Sequence, residues 1–128
     1  HVLISRITPQ LRTRDLESSI RFYTDTVGLA LEFRYADFYA GIRAGAQVFH
    51  LKQVESVDPS IPYVHDEDHF HLYLGTDDVA AVADRLKAKG VALRQEPKDT
   101  LWQTRELIFL DDQGHTIYVG QATHAAEG

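Results

Sequence analysis

The chain contains no cysteine and no methionine among its 128 residues. The lack of cysteine excludes a disulfide framework, thiolate metal ligands and a cysteine nucleophile. Hydrophobic residues make up 44% of the sequence, but no apolar run approaches the roughly 20 residues of a membrane span. No signal-peptide pattern opens the chain either. We therefore expect no membrane partner and a cytoplasmic location.

The charge balance is acidic, with 13 Lys and Arg residues against 19 Asp and Glu residues and a formal net charge of −6. The basic residues are scattered, whereas a nucleic-acid surface concentrates them on one face. We therefore expect no nucleic-acid partner. A chain of this length can bury about two-thirds of its unfolded surface without disulfides or a structural metal. We predict a single domain over residues 1–128.

A weak internal repeat divides the sequence into two halves. In the first half, a strand is predicted over residues 7–14 and a helix in DLESSIRFYTDTVG, where apolar residues recur at helical spacing. Asp15 is placed to cap that helix, and Gly28 to end it. Three strand-like segments follow, LALEFRY, FYAGIRA and AQVFHLKQ.

The second half repeats this order. HFHLYLG is a strand, DDVAAVADRLKAKG is a helix capped by Asp78 and ended by Gly90, and the strand candidates are VALRQE, TRELIFL and HTIYVGQ. These patterns predict an α+β fold of two tandem βαβββ modules, at about residues 4–54 and 69–121. A segment rich in Pro, Asp and Ser, at about residues 55–68, is predicted to be a linker rather than a further element.

Three features resemble the vicinal oxygen chelate superfamily: the tandem modules, the phrase DLESSIRFYTDTVGL after the first strand, and the final DDQGHTIYV hairpin. Members of that superfamily include glyoxalase I, extradiol dioxygenases, fosfomycin-resistance enzymes and bleomycin-resistance proteins. The stretch TLWQTRELIFLDDQGHTIYVG is most similar to the end of bleomycin-resistance-type proteins. The resemblance spans residues 4–121 and implies a curved mixed sheet that encloses a concave cleft.

The metal-dependent members hold a divalent ion at four positions, to which the resemblance assigns Thr8, His50, His71 and Tyr118. A Lewis-acid metal needs three or more anionic or imidazole ligands and an open coordination position. A Thr hydroxyl and a Tyr with an ordinary pKa of about 10 bind metal weakly at neutral pH. Gln10 could replace Thr8, but it adds no carboxylate. We therefore predict no cofactor and no metal; if a metal binds, its ligands are His50 and His71.

Other polar residues have simpler interpretations. The tract HDEDHFH, residues 65–71, has the composition of a metal-binding segment, but charge runs in connectors usually remain hydrated, and we assign its acidic part no site. Glu32 and Glu106 are expected on solvated strand faces without a catalytic role. His50 and His71 either line a pocket or form hydrogen bonds in a structural role.

The aromatic residues favour ligand binding. Trp102 lies next to the connector at residues 97–104, and Tyr73 and Tyr118 occupy strand positions predicted to face the cleft. A planar ligand could stack there, with each ring adding about 0.5–1.5 kcal/mol beyond burial. The alternative for Trp102 is that it caps the core. The predicted ligand-binding residues are Phe38, Tyr39, His50, His71, Tyr73, Trp102 and Tyr118.

Two functions from different classes remain open, since motifs for serine hydrolysis, phosphate cradling and dinucleotide binding are absent. The first is a non-catalytic small-molecule-binding protein of the bleomycin-resistance type that sequesters an aromatic or antibiotic-like ligand. The second is a metal-dependent lyase, isomerase or dioxygenase, and Tyr118 favours the first over it. We also expect a homodimer, because each module exposes sheet edges that a second copy could cover, with the modules paired within a chain or swapped.

Overall fold

The structure is a computed structural model that describes residues 2–123, and the chain divides after Asp58 into two compact units. The described part of the first unit contains β1 (Gln10–Thr13), α1 (Leu16–Arg21), a π-helical turn (Phe22–Thr26), β2 (Ala30–Tyr35), β3 (Tyr39–Ala44) and β4 (Gln47–Gln53). That of the second contains α2 (Ser60–Asp66), β5 (Leu72–Gly75), α3 (Val79–Ala88), β6 (Gln95–Asp99), β7 (Thr104–Leu110) and β8 (Thr116–Ala122). The predicted α+β fold of two βαβββ modules is confirmed.

Each unit forms its own four-stranded mixed sheet, with strand orders β1-β4-β3-β2 and β5-β8-β7-β6. In both sheets the first and last strands of the module pair in parallel, and the other neighbours are antiparallel. The parallel pairs set Gln10 opposite His50 in the first sheet and Tyr73 opposite Tyr118 in the second. Gln10 in the first sheet therefore corresponds in position to Tyr73 in the second, and His50 corresponds to Tyr118.

The starts of α1 and α3 are built in the same way. Asp15 and Asp78 each cap their helix by accepting a hydrogen bond from the amide three residues later, both at 3.0 Å. Gln53 and Gln121, on the last strands, each accept the N–H of the first helical residue, both at 2.8 Å. The predicted caps are confirmed, and the two glutamines additionally tie each helix to its sheet.

One face of the second sheet packs against α3, which contacts β6, β7 and β8. Ile117 and Val119 of β8 are buried on that face, as are Leu107 and Phe109 of β7. Because side chains alternate along a strand, Tyr118 projects from the opposite face. We call the sheet face opposite the long helix of each unit its open face.

The connector at residues 55–68 was predicted to be a linker, and this prediction is wrong in part, because it contains α2. Asp58, just before this helix, is buried and accepts a hydrogen bond from Arg12 at 3.2 Å. The Pro, Asp and Ser residues that suggested a linker are also common where helices begin. Among the described residues, no helix is long and apolar enough to cross a bilayer.

Candidate functional site

An open cavity of about 310 Å³ lies on the second unit, along β6, β7, β8 and the turn between β6 and β7. Trp102, Tyr118 and Ile108 form part of its wall, and its charged lining residues are Lys98, Asp99 and Glu106. Ligand sites for drug-sized molecules span about 300–1,000 Å³, so this cavity suits a small ligand or a fragment of a larger one.

Glu106 is the most buried carboxylate at this cavity, with 4% of its surface exposed. Its Oε2 accepts hydrogen bonds from Tyr73 Oη at 2.7 Å, Thr104 Oγ1 at 2.9 Å and Trp102 Nε1 at 3.3 Å. We call these four residues the Glu106 cluster. The expectation that Glu106 lies on a solvated strand face is wrong, because Tyr73 and Trp102 cover it. Period-two alternation places Glu106 on the same face as Tyr118, and this signal could have identified it.

Both tyrosines of this face are held as neutral phenols. Burial raises the pKa of Tyr73 to about 12, and the hydrogen bond to the Glu106 carboxylate adds to the effect. Burial also raises the pKa of Tyr118 above its ordinary value, followed by the negative charge of Asp68. Neither phenol therefore supplies a phenolate as a base or metal ligand near neutral pH.

Gly120 makes room for the Glu106 cluster. A Cβ at this position would overlap the hydroxyl group of Tyr73 and lie 2.5 Å from its Cζ. Only glycine lets the phenol lie across β8 and reach Glu106. This requirement was not predicted, because nothing local to Gly120 marks it.

The other aromatic rings on the open face of the second sheet and beside the cavity are partly exposed. Trp102 has 67% of its surface exposed, so it does not cap the core. Tyr118 lies 5.1 Å from Phe70 and 6.5 Å from Tyr73 between ring centroids. Sequence reasoning missed Phe70, which precedes β5. The structure thus brings Tyr73, Trp102 and Tyr118 together around Glu106 and the cavity.

The first unit carries a different set of side-chain hydrogen bonds on its open face. Gln10 Nε2 donates to Tyr39 Oη at 3.0 Å, and Tyr39 Oη shares a hydrogen bond with His50 Nδ1 at 2.9 Å. Phe33 packs edge-on to His50, with ring centroids 5.3 Å apart. Phe38, also predicted to bind a ligand, lies in the turn between β2 and β3 with 59% of its surface exposed.

His71 lies directly before β5, and both ring nitrogens are engaged. Its Nδ1 accepts the backbone N–H of Thr116 at 3.1 Å, so its proton is on Nε2, which lies 3.1 Å from Ser60 Oγ. A protonated Nε2 cannot remove a proton from Ser60. The ring also packs edge-on against His115, which pairs with Asp111 at 2.8 Å. This environment is a structural one, and His71 is not among the described residues that line the cavity.

The four positions that the resemblance assigns to a metal do not offer a fitting donor set. Thr8 is exposed and precedes β1. His50 and His71 are imidazoles that already make hydrogen bonds, and Tyr118 is a phenol with a raised pKa. Within residues 2–123, no group of three or more His, Asp or Glu side chains is placed to hold an ion. The residues present therefore do not fit a catalytic divalent metal.

Known proteins similar to this chain include lactoylglutathione lyases and antibiotic-binding proteins. The family model described as Glyoxalase/Bleomycin resistance protein/Dioxygenase superfamily matches residues 1–119. A probable lactoylglutathione lyase from Vibrio cholerae serotype O1 is 30% identical over 128 residues, covering 92% of this chain and 91% of that protein. TnmS3, an antibiotic binding protein from Streptomyces sp. CB03234, is 28% identical with a TM-score of 0.67, covering 95% and 99% of the two chains. A bleomycin-binding protein complexed with bleomycin has a TM-score of 0.73 at 22% identity, covering 92% and 98%.

Proposed function

The chain belongs to the Glyoxalase/Bleomycin resistance protein/Dioxygenase superfamily, and we propose that it binds an aromatic, antibiotic-like small molecule in the cavity of its second unit without catalysing a reaction. The observation that carries this proposal is Trp102. Its indole is two-thirds exposed at the cavity, yet its N–H is hydrogen-bonded to a buried carboxylate. Such an indole offers a planar surface for stacking in a fixed orientation.

The Glu106 cluster supports this role by holding the indole before a ligand arrives. Glu106 is itself fixed by Tyr73 and Thr104, and the cluster joins β5 to β7. A side chain that is already ordered loses less conformational entropy when a ligand binds. Trp102 and Tyr118 together line the cavity with two rings, each worth about 0.5–1.5 kcal/mol in stacking beyond burial.

The comparison with TnmS3 supports the same function. Its description is that of an antibiotic binding protein, and the two chains align over nearly their whole lengths at 28% identity. The bleomycin-binding protein, at 22% identity, supports only the fold. The ligand class is therefore inferred from the cavity together with one relative.

A metal-dependent lyase is the second candidate, because the Vibrio cholerae relative is a probable lactoylglutathione lyase at 30% identity. The donor set argues against it, since Thr8 and Tyr118 replace two of the four expected ligands with hydroxyl groups. We expect dialysed protein to hold well under one equivalent of zinc, nickel, iron or manganese, and a chelator to leave its melting temperature unchanged. Stoichiometric metal, lost together with stability in His50→Ala and His71→Ala, would favour the lyase.

Fluorescence tests the binding function directly, since Trp102 is the only tryptophan. We expect a planar polycyclic or bithiazole-like compound to quench its emission saturably with micromolar or better affinity. Trp102→Ala, followed by calorimetry, should weaken binding by roughly the 1–3 kcal/mol of a lost aromatic anchor. Tyr118→Phe keeps its ring and should cost about 1 kcal/mol or less.

Tyr35→Ala is the matched control, because it removes another exposed aromatic ring from the first unit. It should leave binding unchanged. An equal loss in Tyr35→Ala and Trp102→Ala, or emission that no planar compound alters, would contradict a site at this cavity.

A further inference from the structure

We propose that the cavity of the second unit selects planar ligands that carry a cationic nitrogen, and that this nitrogen pairs with Glu106 Oε1. The inference rests on the proposed binding function and adds the charge of the ligand to it. It follows from an asymmetry of the Glu106 carboxylate. Oε2 accepts all three hydrogen bonds of the Glu106 cluster, whereas Oε1 has no hydrogen-bond partner within residues 2–123.

The carboxylate is buried without a cation. Its partners in the cluster are two hydroxyl groups and an indole N–H, and none of them carries a compensating charge. No ion pair involves Glu106 in the described part of the chain, although only 4% of the residue is exposed. Burying a carboxylate is costly unless a counter-charge joins it. A ligand cation would supply that charge, and Glu106 lines the cavity where the ligand would lie.

The other charged residues of the cavity do not supply the cation. Asp99 also lines the cavity, but Arg105 Nε donates to its Oδ1 at 2.7 Å, and this pair lowers the pKa of Asp99. Lys98 stands opposite Glu106 in the pairing of β6 with β7, yet it is exposed and forms no ion pair among the described residues. Glu106 is therefore the carboxylate that is left to bind a ligand cation. Lys98 is the positively charged residue among those that line the cavity, and it would favour a ligand anion instead.

The aromatic wall favours a cation that is part of a planar system. The hydrogen bond between Trp102 Nε1 and Glu106 fixes the indole edge 3.3 Å from the carboxylate. A ring stacked on that indole has its own edge near the Glu106 carboxylate, so one fused ring system can stack and pair at the same time. A cation over an indole face gains further attraction from the ring's electron density. An amino-substituted fused heteroaromatic has this chemistry.

Three probes of similar shape test the proposal: 9-aminoacridine as the cation, acridine as the neutral compound and acridine-9-carboxylate as the anion. Calorimetry at mildly alkaline pH and low salt gives each dissociation constant, with Trp102 quenching as an independent measure. We expect the cation to bind at least about tenfold more tightly than acridine, as a charge-assisted hydrogen bond implies. The anion should bind most weakly.

Glu106→Gln should abolish the preference for the cation over acridine, because the amide keeps the shape of the side chain but removes its charge. Glu96→Gln is the matched control, because it removes the same charge from an exposed position of β6 that pairs with Lys87; it should keep the preference. The order of the three dissociation constants on the wild-type protein still tests the preference for a cation if Glu106→Gln fails to fold.

The possible failures are distinguishable. Equal binding of all three probes, or a cation preference that survives in Glu106→Gln, would overturn the cation subsite and leave the binding function intact. Tightest binding of the anion, lost in Lys98→Gln, would also overturn it and assign the subsite to Lys98. If none of the probes binds and Trp102 emission never changes, the proposed function itself fails for this ligand class.

Discussion

Replacing Gly120 with alanine tests whether the Glu106 cluster depends on one missing side chain. The new Cβ would overlap the hydroxyl group of Tyr73 and crowd its ring, so the phenol must leave its place over β8. Leaving breaks its 2.7 Å hydrogen bond to Glu106. The lost bond to a charged group costs about 1.5–3 kcal/mol, and overpacking costs about 1–3 kcal/mol. Against these losses, alanine stabilises a strand by about 0.5–1 kcal/mol relative to glycine, because it loses less conformational entropy on folding. Together these contributions predict a net loss of about 1.5–5.5 kcal/mol in the free energy of unfolding.

Gly75→Ala is the matched control, because Gly75 pairs with Gly120 across β5 and β8. A Cβ at Gly75 meets nothing within 4 Å. Urea denaturation followed by circular dichroism measures both variants, and Gly75→Ala should not lower the free energy of unfolding but raise it by up to about 1 kcal/mol.

A double-mutant cycle isolates the clash. In a Tyr73→Leu background the phenol is gone, so Gly120→Ala should cost less than about 1 kcal/mol there. The reasoning is refuted if Gly120→Ala costs as little as Gly75→Ala, or if its cost is the same with and without Tyr73.

Two further predictions concern pH and assembly. Because the folded state raises the pKa of Tyr73 to about 12, from an ordinary value of about 10, the folded protein binds more protons than the unfolded chain between those values. The stability that this shift contributes is fully present below about pH 10 and is lost as the pH rises toward 12. Urea midpoints measured across that range should fall more steeply for wild type than for Tyr73→Phe, and identical slopes would contradict the shift. We also predict a homodimer, since Val2, Leu3, Ile4 and Ile7 are 77–90% exposed and exposed apolar surface favours association. Light scattering after size exclusion should give twice 14.5 kDa, and a mass near 14.5 kDa would exclude the dimer.

The features predicted correctly from sequence are those that depend on neighbouring residues. Asp15 and Asp78 cap their helices through amides three residues away, and an N-cap needs little beyond its own helix. Strand β7 begins and ends where its pattern predicted, at Thr104 and Leu110. The alternation of side chains also placed Tyr73 and Tyr118 on one face without any knowledge of the sheet order.

The features that were missed depend on residues far apart in the chain. Glu106 is buried because Tyr73, 33 positions earlier, reaches over it. A charged residue on a strand is normally solvated, and only the tertiary fold shows what covers it. The tautomer of His71 likewise follows from Thr116, 45 positions away. The helix α2 was hidden for another reason, since its flanking Pro and Asp residues have the composition of a loop as well.

The shared topology of the two sheets has a consequence for how this protein can change. On the open faces, Gln10 and His50 occupy the positions that Tyr73 and Tyr118 occupy in the other sheet. Gly41 pairs with His50 as Ile108 pairs with Tyr118. Two residues earlier on the same strands, Tyr39 therefore corresponds to Glu106. The contacts that start α1 and α3 remain alike in the two units. The residues that differ between the units thus lie on the open faces, whereas the residues that anchor the helices are the same in both. One face can carry a histidine and the other an acidic pocket while each helix keeps its anchor.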